Sequence, residues 1–363
     1  MIRAVQIARF RGISDCVAAG FARVNLIIGR NDCGKTAFME AVQLGEDAED
    51  AARHLLYDQR ARLGRSAKSH NFERFWRPIF FDLDAKIGLS IAVARDDGAW
   101  KRLEIRQGTV SEEIVSGPSD ESDSRDRDDD EYETRNTVKR PTWAFDFRLT
   151  AYDQTETQQR VVATSTGIKL PLISNKNESA WISSSTFVGK DEVGFVSALK
   201  QRAQDGILLE LLREVDGRLS GIELLAPGGD VAELFVRLDN GTPMLPVALM
   251  GEGFQRCFEL GAAAAAHDWP TLFIDEIENG MHHLVLEPLW RWIATISSRR
   301  NLQVFATTHS EECIHAACRA FQGLGDDGLR VIRLDRLAGG TRAMIYDRAL
   351  VETAERTGTE IRG

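Results

Sequence analysis

The sequence lacks long apolar runs, and no stretch approaches the roughly 18 consecutive apolar residues of a membrane-spanning helix. Residues 1–7 run straight into a strand pattern, without the layout of a signal peptide. Cysteine is scarce, and the five cysteines, an odd number, are scattered along the chain. This scatter suggests neither a disulfide framework nor a zinc site. Together these absences predict a cytoplasmic protein of a reducing compartment that makes no membrane contact.

Internal repeats and long heptad runs are also lacking, so the sequence excludes a long coiled-coil arm. No basic cluster offsets the net charge of −10. Much of this charge is local, since residues 118–133 hold nine acidic residues and two arginines. That segment is predicted to be a solvated, disordered loop, and a regulatory or partner-docking role is the alternative. The charge therefore neither supports nor excludes nucleic-acid binding.

A complete phosphate-binding loop of the form G-x-x-x-x-G-K-[ST] is present at residues 29–36. It follows an apolar run at 24–28 and precedes a helical stretch at 37–42. The loop curls its backbone N–H groups toward phosphate oxygens, the lysine reaches the β- and γ-phosphates, and the terminal hydroxyl binds Mg²⁺. The sequence thus predicts a nucleoside triphosphate site, without choosing between ATP and GTP. The predicted nucleotide contacts are Gly29, Arg30, Asn31, Asp32, Cys33, Gly34, Lys35, Thr36 and Ala37.

Two acidic residues end a second apolar strand at residues 272–276. Beside a phosphate-binding loop, Asp275 is expected to orient Mg²⁺, and Glu276 is expected to act as the general base on the attacking water. Taken alone, the pair could be two solvated carboxylates at a strand end. Lys35 and Asp275 are 240 positions apart, which indicates a nucleotide-binding sheet split by a large insertion.

Two weaker features complete the set. A turn that contains Gly251 and Gly253 opens a helix and offers N–H groups to a phosphate, although a simple helix-entry turn would look the same. A further strand ends at His309, which could donate a hydrogen bond to a γ-phosphate or be a structural histidine. Within the loop, Cys33 is read as a small filler residue, with a redox sensor as the alternative.

These segments resemble ABC-type ATPases of the SMC/RecF/OLD group, most closely the stand-alone AAA-family ATPases related to the ATPase half of OLD nucleases. The matching segments read IARFRGI, IIGRNDCGKT, MGEGFQR (the signature), LFIDEIENGMHH (Walker B and the following loop) and ATTHSEE (the switch histidine). They cover residues 1–45 and 245–315, and the middle of the chain resembles the family only in architecture.

The resemblance implies an α/β fold, an ABC-type ATPase head (P-loop NTPase) with an antiparallel β-subdomain and a helical signature lobe. It implies one split ATPase domain over residues 1–363. The expected parts are a nucleotide-binding core at 1–50 and 245–335, the β-subdomain at 85–165 with its acidic loop, and the signature lobe at 190–250. The pattern along the chain further predicts an irregular stretch at 166–190, helical residues over 191–218, a strand at 243–249 and a short C-terminal tail.

The resemblance also implies a head-to-head homodimer that clamps ATP and Mg²⁺ between subunits. Gly251 and Gly253 would then contact the γ-phosphate in trans, and Glu278 and Asn279 would lie at the dimer contact. The histidines at 282–283 extend that loop or begin a polar helix. Catalysis is assigned to Lys35, Glu276 and His309, and Mg²⁺ binding to Thr36 and Asp275.

The sequence departs from this family pattern in three ways. Met250 replaces the usual leading serine of the signature, and no Q-loop glutamine is identified, so we expect hydrolysis to be slow or dependent on a partner. Only 54 residues follow His309, too few for a nuclease domain. Any nuclease or toxin effector is therefore expected to be a separate protein.

Three functions remain open from the sequence. The first is a dimeric ATP-driven switch that controls such an effector in bacterial anti-phage defence. The second is a RecF- or SMC-like ATPase that binds DNA during repair or maintenance. The third is a scaffold that binds nucleotide without hydrolysing it.

Overall fold

The computed structural model describes residues 1–56, 72–108, 141–164, 167–170, 179–183, 190–229, 231–239, 241, 243–266, 270–337 and 340–356. The acidic segment at 118–133 lies outside these residues. No helix among the described residues is long and apolar enough to cross a membrane. All five cysteines are buried and free of disulfide bonds.

Seven antiparallel strands form the first sheet, in the spatial order β2-β1-β4-β5-β6-β7-β8, with strands numbered along the chain. Buried and more exposed side chains alternate along β5, as expected for a strand with one face on a core. The bounds are β1 Ile2–Phe10, β2 Ile13–Ala19, β4 Leu89–Arg95, β5 Trp100–Gly108, β6 Pro141–Thr150, β7 Glu156–Thr164 and β8 Gly167–Lys169.

Six strands form the second sheet, in the order β16-β15-β3-β14-β13-β9, and all pairs are parallel except β15 with β16. Every residue of β3, β13 and β14 is buried, because both faces of this sheet are covered. The carboxyl ends of these three strands meet at one edge of the sheet. The bounds are β3 Val24–Ile28, β9 Ser179–Ile182, β13 Thr271–Ile274, β14 Gln303–Thr307, β15 Leu329–Leu337 and β16 Gly340–Asp347.

Two helices begin directly after residues that are typical of helix N-termini, a glycine and a serine. Gly34, at a left-handed φ of 97°, precedes α1, and the Ser310 hydroxyl caps α6 by accepting from the Cys313 N–H. The helices have the bounds α1 Lys35–Glu46, α2 Lys190–Gln201, α3 Asp205–Val215, α4 Glu252–Ala266, α5 His283–Arg300, α6 Glu311–Gly323 and α7 Arg348–Arg356. A small antiparallel sheet joins β10 Leu219–Leu225, β11 Glu233–Leu238 and β12 Leu245–Pro246.

The six-stranded sheet separates two hydrophobic cores. Leu26 of β3 packs into the core beneath α4 to α6, whereas its neighbour Ile27 packs into the core shared with α1 and the seven-stranded sheet. Phe273 and Phe305 stack on the second side with their ring centroids 5.5 Å apart. The strand-end residues that follow β3, β13 and β14 are thus held by packing on both faces.

Four local predictions differ from the structure. Strands β8 and β9 lie in the stretch predicted to be irregular, and β9 pairs with β13 at the edge of the six-stranded sheet. The stretch predicted to be helical at 191–218 is interrupted at Ala203, which has a φ of 54° and separates two helices. The strand predicted at 243–249 is only two residues long before a 3₁₀ turn. Residues 348–356 of the predicted tail are helical.

Strands β1 and β2 belong to the seven-stranded antiparallel sheet and not to the six-stranded sheet that contains β3. The predicted division of the chain into a core, a β-subdomain and a signature lobe stays our proposal.

Candidate nucleotide-binding site

A cavity of about 1000 Å³ opens at the carboxyl edge of the six-stranded sheet. The predicted residues Lys35, Thr36, Glu276 and His309 reach it from the ends of β3, β13 and β14. The complete lining is Arg11, Asn31, Asp32, Gly34, Lys35, Thr36, Ala37, Glu276, Glu278, Asn279, His309 and Arg336. Elements far apart in sequence therefore place their polar side chains around one space.

The phosphate-binding loop has the backbone that its glycines predict. Gly29 has a φ of 143°, and a Cβ at this position would lie 2.5 Å from the Leu334 carbonyl oxygen. Lys35 is 6% exposed, and its Nζ donates to the carbonyls of Gly29 at 3.0 Å and Arg30 at 3.1 Å. The lysine ammonium therefore lies inside the curl of the loop, where phosphate oxygens would bind.

Cys33 is a buried residue of this loop. Burial raises the pKa of the Cys33 thiol, and the nearby Lys35 charge only partly offsets this effect. The thiol is therefore neutral at ordinary pH, which weakens its nucleophilicity. Of the two readings of this cysteine, the packing favours the filler residue.

Asp275 lies directly opposite the loop. The Thr36 hydroxyl is 3.4 Å from both oxygens of the Asp275 carboxylate, and the Thr307 hydroxyl donates to Oδ1 at 2.6 Å. These oxygen donors suit Mg²⁺. The described residues contain no group of three or more His, Cys, Asp or Glu side chains placed to hold a metal ion.

Glu276 turns toward the cavity through an unusual backbone conformation. Its φ of 47° lies in the left-handed region, which costs a side-chain-bearing residue about 1–2 kcal/mol. The Glu276 N–H donates to the Thr307 hydroxyl at 2.8 Å. Its carboxylate is 42% exposed, and Oε1 lies 3.8 Å from His309 Nε2. A carboxylate in this position can accept a proton from a water in the cavity.

His309 lies between the lysine and the general-base candidate. Its Nδ1 is 3.4 Å from Lys35 Nζ, so this nitrogen can accept while Nε2 faces Glu276. The His309 N–H donates to Glu278 Oε1 at 2.7 Å. The loop after β13 thereby fixes the backbone of the histidine that follows β14.

The predicted signature glycines lie elsewhere. Gly251 and Gly253, at the start of α4, do not line the cavity of their own chain. A Cβ on Gly253 would lie 2.9 Å from the Gly280 carbonyl oxygen, so the turn packs against the loop that follows β13. The signature turn therefore lies beside the loop after β13 and contributes no residue to the cavity lining.

Sequence reasoning did not assign three side chains at or beside the cavity. Arg11 has a φ of 50° and forms an ion pair with the buried Glu40 of α1 at 2.5 Å. The sequence indicated Arg11 only through its place in the IARFRGI segment. Arg336, at the end of β15, lies in no motif, and the buried Thr307 lies in the ATTHSEE segment, where only His309 was assigned a role. Their roles depend on strand pairing that the sequence does not display.

A family model described as "AAA domain, putative AbiEii toxin, Type IV TA system" matches residues 24–314. The chain belongs to this AAA-domain family. A Helicobacter pylori (strain ATCC 700392 / 26695) protein named "ATP/GTP phosphatase" is 23% identical over 345 residues, covering 86% of each chain. The solved SMC head bound to the C-terminal winged-helix domain of ScpA superposes with a TM-score of 0.50, 11% identity and coverage of 98% of this chain and 99% of that chain.

These comparisons confirm the α/β, ABC-type P-loop fold class. The AAA-domain protein is an ATPase of this class. The closer relation to OLD nucleases stays a prediction.

Proposed function

We propose that this AAA-domain protein binds and hydrolyses ATP as a homodimeric switch, of the kind related to the ATPase half of OLD nucleases, and controls a separate nuclease or toxin in anti-phage defence. The observation that carries the proposal is the meeting of Lys35, Thr36, Glu276 and His309 at one cavity, with Asp275 beside it at 3.4 Å from the Thr36 hydroxyl. The AbiEii toxin and toxin–antitoxin terms in the family description agree with a defence role.

The residues divide the work of hydrolysis. Lys35 and His309 would neutralise and orient the β- and γ-phosphates, and Glu276 would accept the proton of the attacking water. Thr36 and Asp275 would hold Mg²⁺, which supplies charge neutralisation when bound. Gly251 and Gly253 would contact the γ-phosphate bound by the partner copy, because their own cavity does not include them.

The proposal predicts that Glu276→Gln lowers kcat for ATP by about 10²- to 10⁴-fold, since the amide cannot take the proton. Nucleotide affinity should stay near that of the wild type, because the amide fills the same space. Steady-state phosphate release and a fluorescent-nucleotide titration measure the two quantities. Glu311→Gln, an exposed acid in the first turn of α6, is the matched control.

Equal turnover of wild type and Glu276→Gln would remove Glu276 from its role. Absent turnover in wild type at high protein concentration would instead favour the nucleotide-stabilised scaffold. A pull-down of the native protein tests the effector. Full activity without any stable partner would contradict a switch that works through a second protein.

A DNA-binding ATPase of the RecF or SMC type is the second candidate. It predicts ATP-dependent DNA binding that weakens steeply with salt, which a filter-binding assay measures. The outward face of the seven-stranded sheet presents Arg106 and Arg148, but Asp146 and Glu104 stand opposite them in the ladder. A surface with alternating positive and negative charges binds a phosphate backbone poorly, so we rank the effector switch first.

A further inference from the structure

Thr307, the last residue of β14, contacts three consecutive residues after β13. Its hydroxyl accepts from the Glu276 N–H at 2.8 Å and donates to Asp275 Oδ1 at 2.6 Å. Its carbonyl oxygen accepts from the Ile277 N–H at 3.0 Å. With a side chain only 1% exposed, Thr307 makes these contacts away from bulk water.

The direction of the hydroxyl proton is fixed by this arrangement. A threonine hydroxyl has one proton to donate and oxygen lone pairs to accept with. Because the Glu276 N–H occupies the oxygen as a donor, the hydroxyl proton is free to point at the Asp275 carboxylate. One oxygen of Asp275 is thereby held by Thr307, and the carboxylate plane is set toward Thr36.

The same hydroxyl takes over where the strand ladder ends. The parallel ladder of β13 and β14 runs to the pair Ile274 and Ala306. The Glu276 N–H leaves that ladder at a left-handed φ of 47° and finds its acceptor in the Thr307 side chain. Without this acceptor, a partly buried N–H would lose its partner in the conformation that aims Glu276 at the cavity.

We propose that Thr307 is a positioning residue that orients both acids of the site, setting the Asp275 carboxylate for Mg²⁺ and the Glu276 backbone for catalysis. This inference rests on the proposed function for its effect on turnover. Residues that hold a metal ligand by a hydrogen bond typically change metal affinity or activity by about 10- to 100-fold when removed.

The test compares Thr307→Val, which keeps the shape and removes the hydroxyl, with Thr307→Ser, which keeps the hydroxyl. The matched control is Thr271→Val, because Thr271 is equally buried, at 2% exposure, but lies at the opposite end of β13. Three quantities are measured on full-length protein: kcat for ATP, the Mg²⁺ concentration that tightens fluorescent-nucleotide binding by half, and hydrogen exchange of the peptide 271–281.

For Thr307→Val we expect kcat to fall, and the required Mg²⁺ concentration to rise, by about 10- to 100-fold. Nucleotide binding without Mg²⁺ should be unchanged, and exchange within 271–281 should be faster. Thr307→Ser should behave like wild type in all three measurements. Thr271→Val should leave the Mg²⁺ requirement unchanged.

A wild-type Mg²⁺ requirement and wild-type exchange in Thr307→Val would overturn the inference. Should Thr307→Val not fold, a weakened Mg²⁺ response in the folded Thr307→Ser would overturn it instead, since the hydroxyl is still present. If wild type hydrolyses no ATP, the proposed function fails, whereas Mg²⁺-linked nucleotide binding and exchange still test the role of Thr307.

Discussion

Gly29 has the strictest requirement among the residues of the phosphate-binding loop. Its φ of 143° suits glycine, and any Cβ would lie 2.5 Å from the Leu334 carbonyl oxygen and 2.7 Å from Cys33 Sγ. Real Cβ atoms essentially never approach a backbone oxygen this closely. A side chain here must push the loop away from β15 and so misplace the N–H groups that face the phosphates.

We therefore expect Gly29→Ala to weaken nucleotide binding by at least about tenfold, which corresponds to the loss of one or two phosphate hydrogen bonds. Fluorescent-nucleotide titration measures the change. Gly20→Ala is the control, because Gly20 also has a positive φ, of 100°, but no heavy atom lies within 4 Å of its Cβ position. If both variants bound nucleotide equally well, the close approach to Leu334 would be irrelevant to the loop.

The residues predictable from sequence are those whose chemistry requires a fixed local spacing. Lys35 and Thr36 follow from the loop pattern, and Asp275 and Glu276 follow from an apolar run that ends in acids. Thr307 could not be predicted in this way, because its role depends on the pairing of β14 with β13. A single buried threonine has the same appearance in sequence whether its hydroxyl contacts water, a carbonyl or a catalytic acid.

A buried arginine of helix α4 hydrogen-bonds to the ends of two strands of the six-stranded sheet. Arg256 donates to the carbonyl of Asp275 at 2.9 Å and to the carbonyl of Ser183, after β9, at 2.7 Å. It also pairs with Glu259 at 2.9 Å, and both side chains are 6% exposed. The helix that carries the signature turn is thereby connected to the strand end that carries the Walker B acids.

We expect Arg256→Met to lower the free energy of unfolding by about 3–5 kcal/mol, because Glu259 would remain buried without its partner. The double variant Arg256→Met with Glu259→Met should recover part of that loss. Urea unfolding measures both. Arg291→Met is the control, since the Arg291 pair with Glu287 is exposed and worth about 0.3–0.5 kcal/mol. A double variant as unstable as the single one would contradict the buried-charge explanation.

The predictability of an element follows its length and its pattern. Apolar periodicity predicts helices at 252–267, 284–297 and 311–322, and apolar runs predict strands at 271–275 and 302–306. Helices α4, α5 and α6 and strands β13 and β14 lie within three residues of these bounds. Strand β9 has four residues, too few to display a period, and it exists because β13 offers an open ladder to pair with. The break near Ala203 was missed because helical spacing continues on both sides of it.

At the scale of the whole molecule, the proposed function divides the site between two copies of the chain. The cavity is lined by Lys35, Glu276 and His309, among others, whereas the signature turn packs on the loop after β13 and contributes no lining residue. Two large apolar side chains flank these segments in sequence. Leu249 is 76% exposed and Leu284 is 71% exposed. We propose that both leucines belong to the contact surface between copies, because they adjoin the signature turn and the loop after β13 in sequence.

If two copies of this AAA-domain protein join through that surface, turnover per subunit should rise with protein concentration. Leu249→Asp or Leu284→Asp should then shift the concentration of half-maximal turnover upward by about tenfold or more, because burying one leucine contributes about 1.5–3 kcal/mol. Nucleotide affinity of the lone subunit should not change, since neither leucine lines the cavity. Phosphate release across a dilution series, with sedimentation velocity in parallel, measures both effects.

The matched control is Leu350→Asp, which alters a leucine of α7 that is 52% exposed and distant in sequence from the signature turn. It should keep the wild-type concentration dependence. Turnover per subunit that is independent of concentration in a monomeric wild-type sample would contradict the shared site. In that case Gly251 and Gly253 would act as a helix-entry turn, and the cavity of one chain would be sufficient for hydrolysis.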